Sequence, residues 1–203
     1  MAKAIVFDIG GVLIGLDMCR CIRAFQEDLG FMRITELLDP CHQKGIYGDL
    51  EAGVLHPDHF RDLILAESKP GAKRDDVDRA MGQLLTGMTP ETVATVKSLR
   101  DRYPLYLLSN NNPISMPLCL KAMRDAGLDP DITFKGQFIS CELKMLKPSL
   151  AFYQEVVRRI GLPAGDILFV DDNDANVEGA RAVGMEARLY QPGSSLATLL
   201  SDC

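Results

Sequence analysis

Four short stretches of this chain carry side chains able to do chemistry, and they are scattered along its length. They are Asp8 just ahead of Gly10-Gly11, Ser109-Asn110, Lys147, and Asp171-Asp172. Two carboxylates converging with bare glycine backbone between them suit a hard divalent cation. Mg²⁺ takes few protein ligands and keeps waters and phosphate oxygens in its octahedron. A lysine ammonium, a serine hydroxyl and asparagine amides add donors for anionic oxygens. Together they are what phosphoryl transfer needs: the cation and lysine offset charge on the phosphoryl oxygens, and a carboxylate can attack phosphorus to give an acyl phosphate. Each piece also has a plainer reading. Ser109 to Asn112 suits a turn, Lys147 a solvated surface charge, and Asp171-Asp172 a pair complementing a helix N-terminus.

The elements that must carry these residues favour the chemical reading. Ile5 to Phe7 is a short apolar run of buried-strand type, stopped by Asp8 and two glycines. A bare carboxylate is costly at the end of a core strand, so it calls for a cation or a reacting partner. From Thr89 onward helices and strands alternate. Thr89-Pro90 caps a helix carrying Val93, Val96 and Leu99, and Leu105 to Leu108 is a core strand. A helix follows over about Met116 to Asp125, then a weak strand near Phe138-Ile139 and a helix with Leu150, Tyr153 and Val156. Ile167 to Val170 is the next core strand, Val177, Ala180 and Val183 mark a helix closing at Gly184, and Ala187 to Tyr190 is a last strand. Alternation of this kind predicts a Rossmann-like α/β core, a parallel sheet with helices on both faces. Ligands of such sheets sit at the carboxyl ends of the strands. Asp8, Ser109 and Asp172 each stand at such an end, so they point to one crevice. Lys147 precedes Pro148, read as the start of a helix, which would hold its ammonium at the crevice rim.

Between the first strand and this alternation, from Asp17 to about Thr86, the periodicity is helical with no convincing strand. Cys21, Ala24, Phe25 and Leu29 lead to a cap at Gly30; Ile34, Leu37 and Leu38 are stopped by Pro40; Phe60, Leu63 and Ile64 follow Pro57. Val77, Met81, Leu84 and Leu85 complete about four helices, with Gly45 to Gly53 a loop or short helix. The expected division is therefore a core of residues 1–16 and 87–203 and an inserted all-helical cap of residues 17–86, hinged near Gly15-Leu16 and Gly87-Met88.

Composition narrows the function classes. With 203 residues, 47% of them hydrophobic, a sizeable core is available, and the net charge of −6 without a basic block argues against nucleic acid or an anionic membrane as partner. No run has the length of a transmembrane helix, and the chain enters a strand at once rather than through a basic-then-apolar leader. Six scattered cysteines, of which only Cys19 and Cys21 are close, fit neither zinc nor redox spacing. Reduced thiols in a cytoplasmic protein acting on a small molecule are expected, with His42, His56 and His59 as surface or loop residues.

In these residues the chain resembles the haloacid dehalogenase-like hydrolase superfamily, along essentially its whole length. "FDIGGVL" with Asp8, "LLSNNN" with Ser109, "LKPS" with Lys147 and "FVDDNDANVEGA" with Asp171-Asp172 match its four motifs in order. The first motif is most similar to that of bacterial sugar-phosphate phosphatases of the glucose-1-phosphatase type, and the helical insert resembles their small cap. The resemblance implies a Mg²⁺-dependent phosphatase of a small phosphorylated metabolite, a sugar phosphate, with Asp8 as the nucleophile that becomes phosphorylated. It implies Mg²⁺ on Asp8, the Gly10 carbonyl and Asp172, with Asp171 and Asn176 in or next to the layer behind those ligands. It places Ser109, Asn110 and Lys147 on the phosphate.

Two positions depart from the pattern. Most phosphatases of the superfamily carry a general acid two residues after the nucleophile, where this chain has Gly10; Asp17 is a candidate replacement. Lys144 stands where relatives commonly have glycine. The departure at Gly10 leaves two alternatives to weigh: a metal-independent dehalogenase acting at carbon, and a domain that binds a phosphorylated ligand without turnover. Substrate choice would lie in the cap, with Tyr47 and Glu51 as candidates for binding substrate hydroxyls and cap motion gating access.

Overall fold

The computed structural model describes residues 2–38 and 44–203. In chain order its strands are β1 (Ala4–Phe7), β2 (Gly15–Leu16), β3 (Leu85–Gly87), β4 (Leu105–Ser109), β5 (Phe134–Ile139), β6 (Ile167–Asp171) and β7 (Glu186–Leu189). Five of them form the central sheet in the order β5-β4-β1-β6-β7, every neighbouring pair parallel. β1 and β6 are buried along their whole length, which is why both read as unbroken apolar runs instead of alternating ones.

The pleat sends alternate residues to opposite faces. Ile5, Phe7, Leu105 and Leu107 pack with Val96, Leu99, Cys119 and Met123 from helices Pro90–Arg100 and Ser115–Asp125. Val6, Leu108 and Phe169 pack the other way, with Phe152, Tyr153 and Val177 from helices Leu150–Ile160 and Asp174–Ala182. β1 is the strand from which the chain leaves in both directions, first to β4 and β5, then across to β6 and β7. In an open parallel sheet this reversal is where a crevice opens. Asp8, Ser109 and Asp171 lie at the ends of the three adjacent strands that flank it.

Residues 18–82, joined by Ile114 from the core, supply a second apolar cluster that includes Cys21, Phe25, Leu29, Tyr47, Phe60 and Ile64. Helix Met18–Arg23 runs on as a π-helical turn, Ala24–Asp28, and Gly30 at φ +72° ends it. Helices Ile34–Leu37, Gly45–Glu51, Pro57–Ala66 and Arg74–Gly82 follow, so the insert has five α-helices among the described residues, the fifth being the short one at Gly45–Glu51. Gly45 to Glu51, expected as a loop or short helix, is helical. Pro40, Cys41 and His42 lie outside the described residues. His56 caps the helix that begins at Pro57, its Nδ1 accepting from the Asp58 N–H at 3.2 Å.

One expectation fails in this region. Leu84 and Leu85 do not extend the last helix, which stops at Gly82; instead β3 pairs antiparallel with β2. The two passages of chain between sheet and insert are thus joined as a ribbon. Local periodicity has no means of showing it, because the pairing partner of Leu85 is Leu16. No helix among the described residues is long and apolar enough to cross a membrane.

Candidate active site

β1 ends with the Asp8 N–H donating to the Val170 carbonyl at 2.9 Å, so the next strand over fixes the direction in which Asp8 leaves the sheet. Its Oδ1 accepts from the Ile9 N–H at 2.7 Å, and its Oδ2 lies 2.9 Å from Lys147 Nζ. Residues Ile9 to Ile14 then close a tight turn, with the Gly11 N–H on the Ile14 carbonyl at 2.9 Å. Gly11 has φ +78°, and a Cβ there would stand 2.0 Å from Asp172 Oδ2. Only glycine lets the Asp172 carboxylate lie this close to the turn that follows Asp8.

Lys147 is on the floor of the crevice and not at its rim: its side chain is 1% exposed. Nζ reaches Asp171 Oδ2 at 2.6 Å as well as Asp8, and sits 5.6 Å from the centroid of the Phe169 ring. Pro148 does not begin a helix; its peptide bond with Lys147 is cis, and the helix starts at Leu150. The backbone of Lys147 is held by Asn110, whose Oδ1 accepts the Lys147 N–H at 2.8 Å and whose Nδ2 donates to the Lys147 carbonyl at 3.0 Å. The Asn110 carboxamide thus holds Lys147 through Oδ1 and one Nδ2 hydrogen, and Asn110 also lines the cavity.

Asp171 is equally committed. Its Oδ1 accepts from the Asn173 N–H at 2.9 Å and from Asn176 Nδ2 at 3.0 Å, and its Oδ2 takes Lys147. Tyr153 supports Asn176 from behind, its hydroxyl donating to the Asn176 carbonyl at 2.9 Å. Burial pulls the Lys147 ammonium down, but Asp171 and Asp8 outweigh it and hold it above the usual lysine range. Burial pushes the Asp8 carboxyl up to about 7; Lys147 opposes that, while Asp171 and Asp172 add to it. Asp172 is raised too, by burial and then by Asp171.

Asp8, Asp171 and Asp172 present oxygens that all lie within 4.8 Å of one another. Asp171 takes three donors, Asp8 takes one on each oxygen, and no side chain donates to Asp172 among the described residues, so Asp172 and then Asp8 keep the most lone-pair capacity for a cation. Three carboxylates against one ammonium leave a formal charge of −2 in a buried cluster, an arrangement that one divalent ion neutralises. The donors are all oxygen, so the residues fit Mg²⁺ and not a thiophilic metal. Ser109 completes the floor. Among the described residues its Oγ makes one long contact, to the Asn110 carbonyl at 3.5 Å, too weak to commit the hydroxyl, which leaves it available to a ligand.

The cavity over this floor is walled on the insert side by Tyr47 and Glu51 of helix Gly45–Glu51 and on the core side by Asn112 and Ser115. Tyr47 and Glu51 are thus in reach of the crevice, by way of a helix and not a loop. Asp17 is not: it caps helix Met18–Arg23, its Oδ1 accepting the Arg20 N–H at 2.9 Å, and it does not line the cavity. Asn112 Oδ1 accepts from the N–H groups of Ile114 and Ser115 at 3.1 and 2.9 Å, which starts helix Ser115–Asp125. Lys144 has φ +54° at the end of the short helix Ser140–Leu143 and is exposed outside the cavity. A left-handed position favours glycine, which is the physical sense of the glycine that the family resemblance implies there.

Two residues that sequence reasoning passed over also belong to this region. The Ser115 hydroxyl is buried at the cavity wall without a hydrogen-bond partner among the described residues. Ser140, wholly buried, donates from Oγ to the Glu51 carbonyl at 2.6 Å and accepts the Asn111 N–H at 2.9 Å. Neither carries a local signal; a serine after a weak strand is ordinary until the chain is folded.

A family model described as haloacid dehalogenase-like hydrolase matches residues 2–184. The D-ribitol-5-phosphate phosphatase of Bacteroides thetaiotaomicron is 28% identical over 193 residues, 95% of this chain and 92% of that protein. A point variant of a family enzyme from Bacteroides thetaiotaomicron, crystallised with magnesium and inorganic phosphate, superposes with a TM-score of 0.92 at 28% identity, covering 98% of this chain and 99% of that one. A structure of a predicted HAD-like family hydrolase from Porphyromonas gingivalis gives a TM-score of 0.89 at 31% identity, over 100% of this chain and 97% of the other.

Proposed function

Because this chain belongs to the haloacid dehalogenase-like hydrolases, we propose that it is a Mg²⁺-dependent phosphatase of a small phosphorylated polyol or sugar. The observation that carries this reading is the buried cluster of charge −2 beside an uncommitted hydroxyl. Asp8 and Asp172 are the carboxylates with lone pairs left to hold a cation, Lys147 is fixed against Asp8, and Ser109 lies at the end of the neighbouring strand. The curated relative acting on ribitol 5-phosphate and the neighbour holding magnesium and phosphate agree with it.

Mg²⁺ would be held by Asp8, the Gly10 carbonyl and Asp172, and when bound it supplies positive charge facing the phosphoryl oxygens. The chain's own residues do the rest. Lys147 and the Ser109 hydroxyl donate to the phosphoryl oxygens and orient them, which keeps the ester in line with Asp8. A carboxylate oxygen of Asp8 attacks phosphorus, the bond to the ester oxygen breaks, and an aspartyl phosphate forms. Water then attacks the phosphorus of that intermediate and returns Asp8. Asn110 keeps Lys147 in register, and Asn176 and Asn173 keep Asp171 aimed at it.

Residues 1–16 and 87–203 act as the chemical core in this reading and residues 17–86 as its cap. A second apolar cluster and the β2/β3 ribbon at the crossing point support that division. The test is hydrolysis of ribitol 5-phosphate, other pentose and hexose phosphates and para-nitrophenyl phosphate, with Mg²⁺ and with EDTA, alongside Asp8→Asn. Turnover that requires Mg²⁺ and disappears in Asp8→Asn is the expected result. Absence of turnover on every ester in folded, metal-loaded protein would sink it; activity on 2-haloacids that survives EDTA would move the chemistry to carbon.

A further inference from the structure

We propose that Glu51, delivered by the helical insert, is the acid-base group of this site: it protonates the departing alcohol and then takes a proton from the attacking water. The proposal rests on the phosphatase reading above and adds to it the group that the turn after Asp8 does not supply.

The need comes from the chemistry. An alkoxide is too basic to leave phosphorus unprotonated, and the residue two places after Asp8 is Gly10, whose missing side chain leaves space that Leu16 occupies. The titratable groups around the cavity are Asp8, Tyr47, Glu51, Cys119, Lys147 and Asp172. Asp8 is the attacking group and Asp172 a cation ligand in this reading, and Lys147 is shared between two carboxylates. Burial pushes the Tyr47 phenol well above its usual range and the Cys119 thiol up to about 11, so neither exchanges protons readily near neutrality. Glu51 remains.

Its environment suits the task. Among the described residues the carboxyl has no hydrogen-bond or ion-pair partner, although Asp8 and Lys147 are close enough to feel its charge. Burial pushes it up to about 8, Lys147 opposing and Asp8 adding to the shift, so it holds a proton at neutral pH and can give it up. It is half-buried, its open side being the cavity itself.

Its position is also fixed from the core, so it does not depend on the insert alone. The Glu51 carbonyl accepts from Ser140 Oγ at 2.6 Å, directly after β5. Two residues on, Gly53 lies so close to the Cys141 carbonyl that a Cβ would stand 2.2 Å from its oxygen. The end of this helix is clamped to the core at the edge of the crevice.

The steps balance. As Asp8 bonds to phosphorus and the ester P–O bond breaks, the Glu51 proton passes to the leaving oxygen. The resulting carboxylate accepts a proton from water as that water bonds to phosphorus and the Asp8 O–P bond breaks. Inorganic phosphate leaves, and Glu51 is protonated again.

Glu51→Gln separates the roles, because it keeps shape and hydrogen bonding but holds no transferable proton. The Mg²⁺-loaded wild type, Glu51→Gln and Glu51→Ala are compared on glycerol 3-phosphate and on para-nitrophenyl phosphate, whose phenolate leaves without help. Both variants should lose about 10²–10⁴-fold in kcat on the alkyl ester. On the aryl ester they should keep a near-normal first turnover and accumulate acid-trappable phosphoenzyme. Adding Gly10→Asp to Glu51→Gln, where a Cβ meets the flexible Leu16 side chain first, at 3.2 Å, should restore alkyl ester turnover. Equal losses on both esters through KM without phosphoenzyme, or no loss at all, would overturn the proposal and make Glu51 a hydroxyl ligand or a bystander. A wild type inactive on both esters would instead overturn the phosphatase reading beneath it, a result distinct from losses confined to the variants.

Discussion

Replacing Lys147 by methionine keeps the length of the side chain and removes its charge. In the native protein that charge sits 2.9 Å from Asp8 and 2.6 Å from Asp171, with the lysine side chain 1% exposed. Formally the cluster goes from three carboxylates and one ammonium to three carboxylates alone, from −2 to −3, in a site that water barely reaches, and proton uptake by Asp8 relieves part of that charge. Breaking a buried pair while leaving the partner charged costs about 3–5 kcal/mol. For a chain of this size that lowers Tm by about 6–20 °C. The assay is thermal unfolding followed by circular dichroism at about pH 8 in EDTA, then with Mg²⁺ added. Because the more negative site binds the cation more tightly, Mg²⁺ should raise Tm more in the variant than in the wild type.

The pH dependence has a definite sign. The Asp8 carboxyl is raised by burial to about 7 from an ordinary 3.8, and Lys147 is the group that holds it down. A raised carboxyl binds its proton in the folded state before the unfolded one, so the folded state gains on the unfolded one as pH falls. The penalty is full above the folded value and gone below the unfolded one. Without Lys147 the window widens upward, and the deficit of the variant in EDTA should shrink from about pH 8 to about pH 5. A Lys147→Met variant unfolding within about 2 °C of wild type at the higher pH in EDTA would refute the claim that Lys147 balances these carboxylates.

Other substitutions probe the supports of the site. Asn110→Ala removes both hydrogen bonds to the Lys147 backbone and should cost about 1–3 kcal/mol as well as kcat; an unchanged urea midpoint with a raised KM would instead place the carboxamide on substrate. Gly53→Ala puts a methyl into the Cys141 carbonyl at a residue with φ +68° and should lower the urea midpoint by an amount equivalent to about 1–3 kcal/mol. An unaffected midpoint would mean that the contact between insert and core is not tight in solution. Iodoacetamide at neutral pH should label exposed Cys19 and spare Cys21, whose thiol burial pushes up to about 12, and peptide mass mapping reads the difference. Equal labelling of the two would show that helix Met18–Arg23 opens readily.

Several features followed from the amino-acid sequence by itself. The buried parallel strands announce themselves as apolar runs because both of their faces are covered, and each run that ends in Asp or Ser marks a position at the mouth of the sheet. Alternation with helices then brings Asp8, Ser109 and Asp171-Asp172 to one crevice, since adjacent strands lie side by side whatever the length of chain between them. Thr89-Pro90 and Gly184 bound their helices as local capping rules require. Tertiary structure alone decided the rest. Lys147 is on the floor because Asn110, directly after β4, captures its backbone and two carboxylates capture its ammonium. Leu85 is in a ribbon because Leu16 lies across from it. Asp17 faces its own helix while Glu51 faces the reacting groups, because Ser140 and the carbonyl of Cys141 clamp the end of helix Gly45–Glu51 to the core. Local patterning settles which segments are helix or strand. Which polar side chain ends up buried beside Asp8 depends on contacts between residues far apart in the chain, and those exist only once the insert is docked.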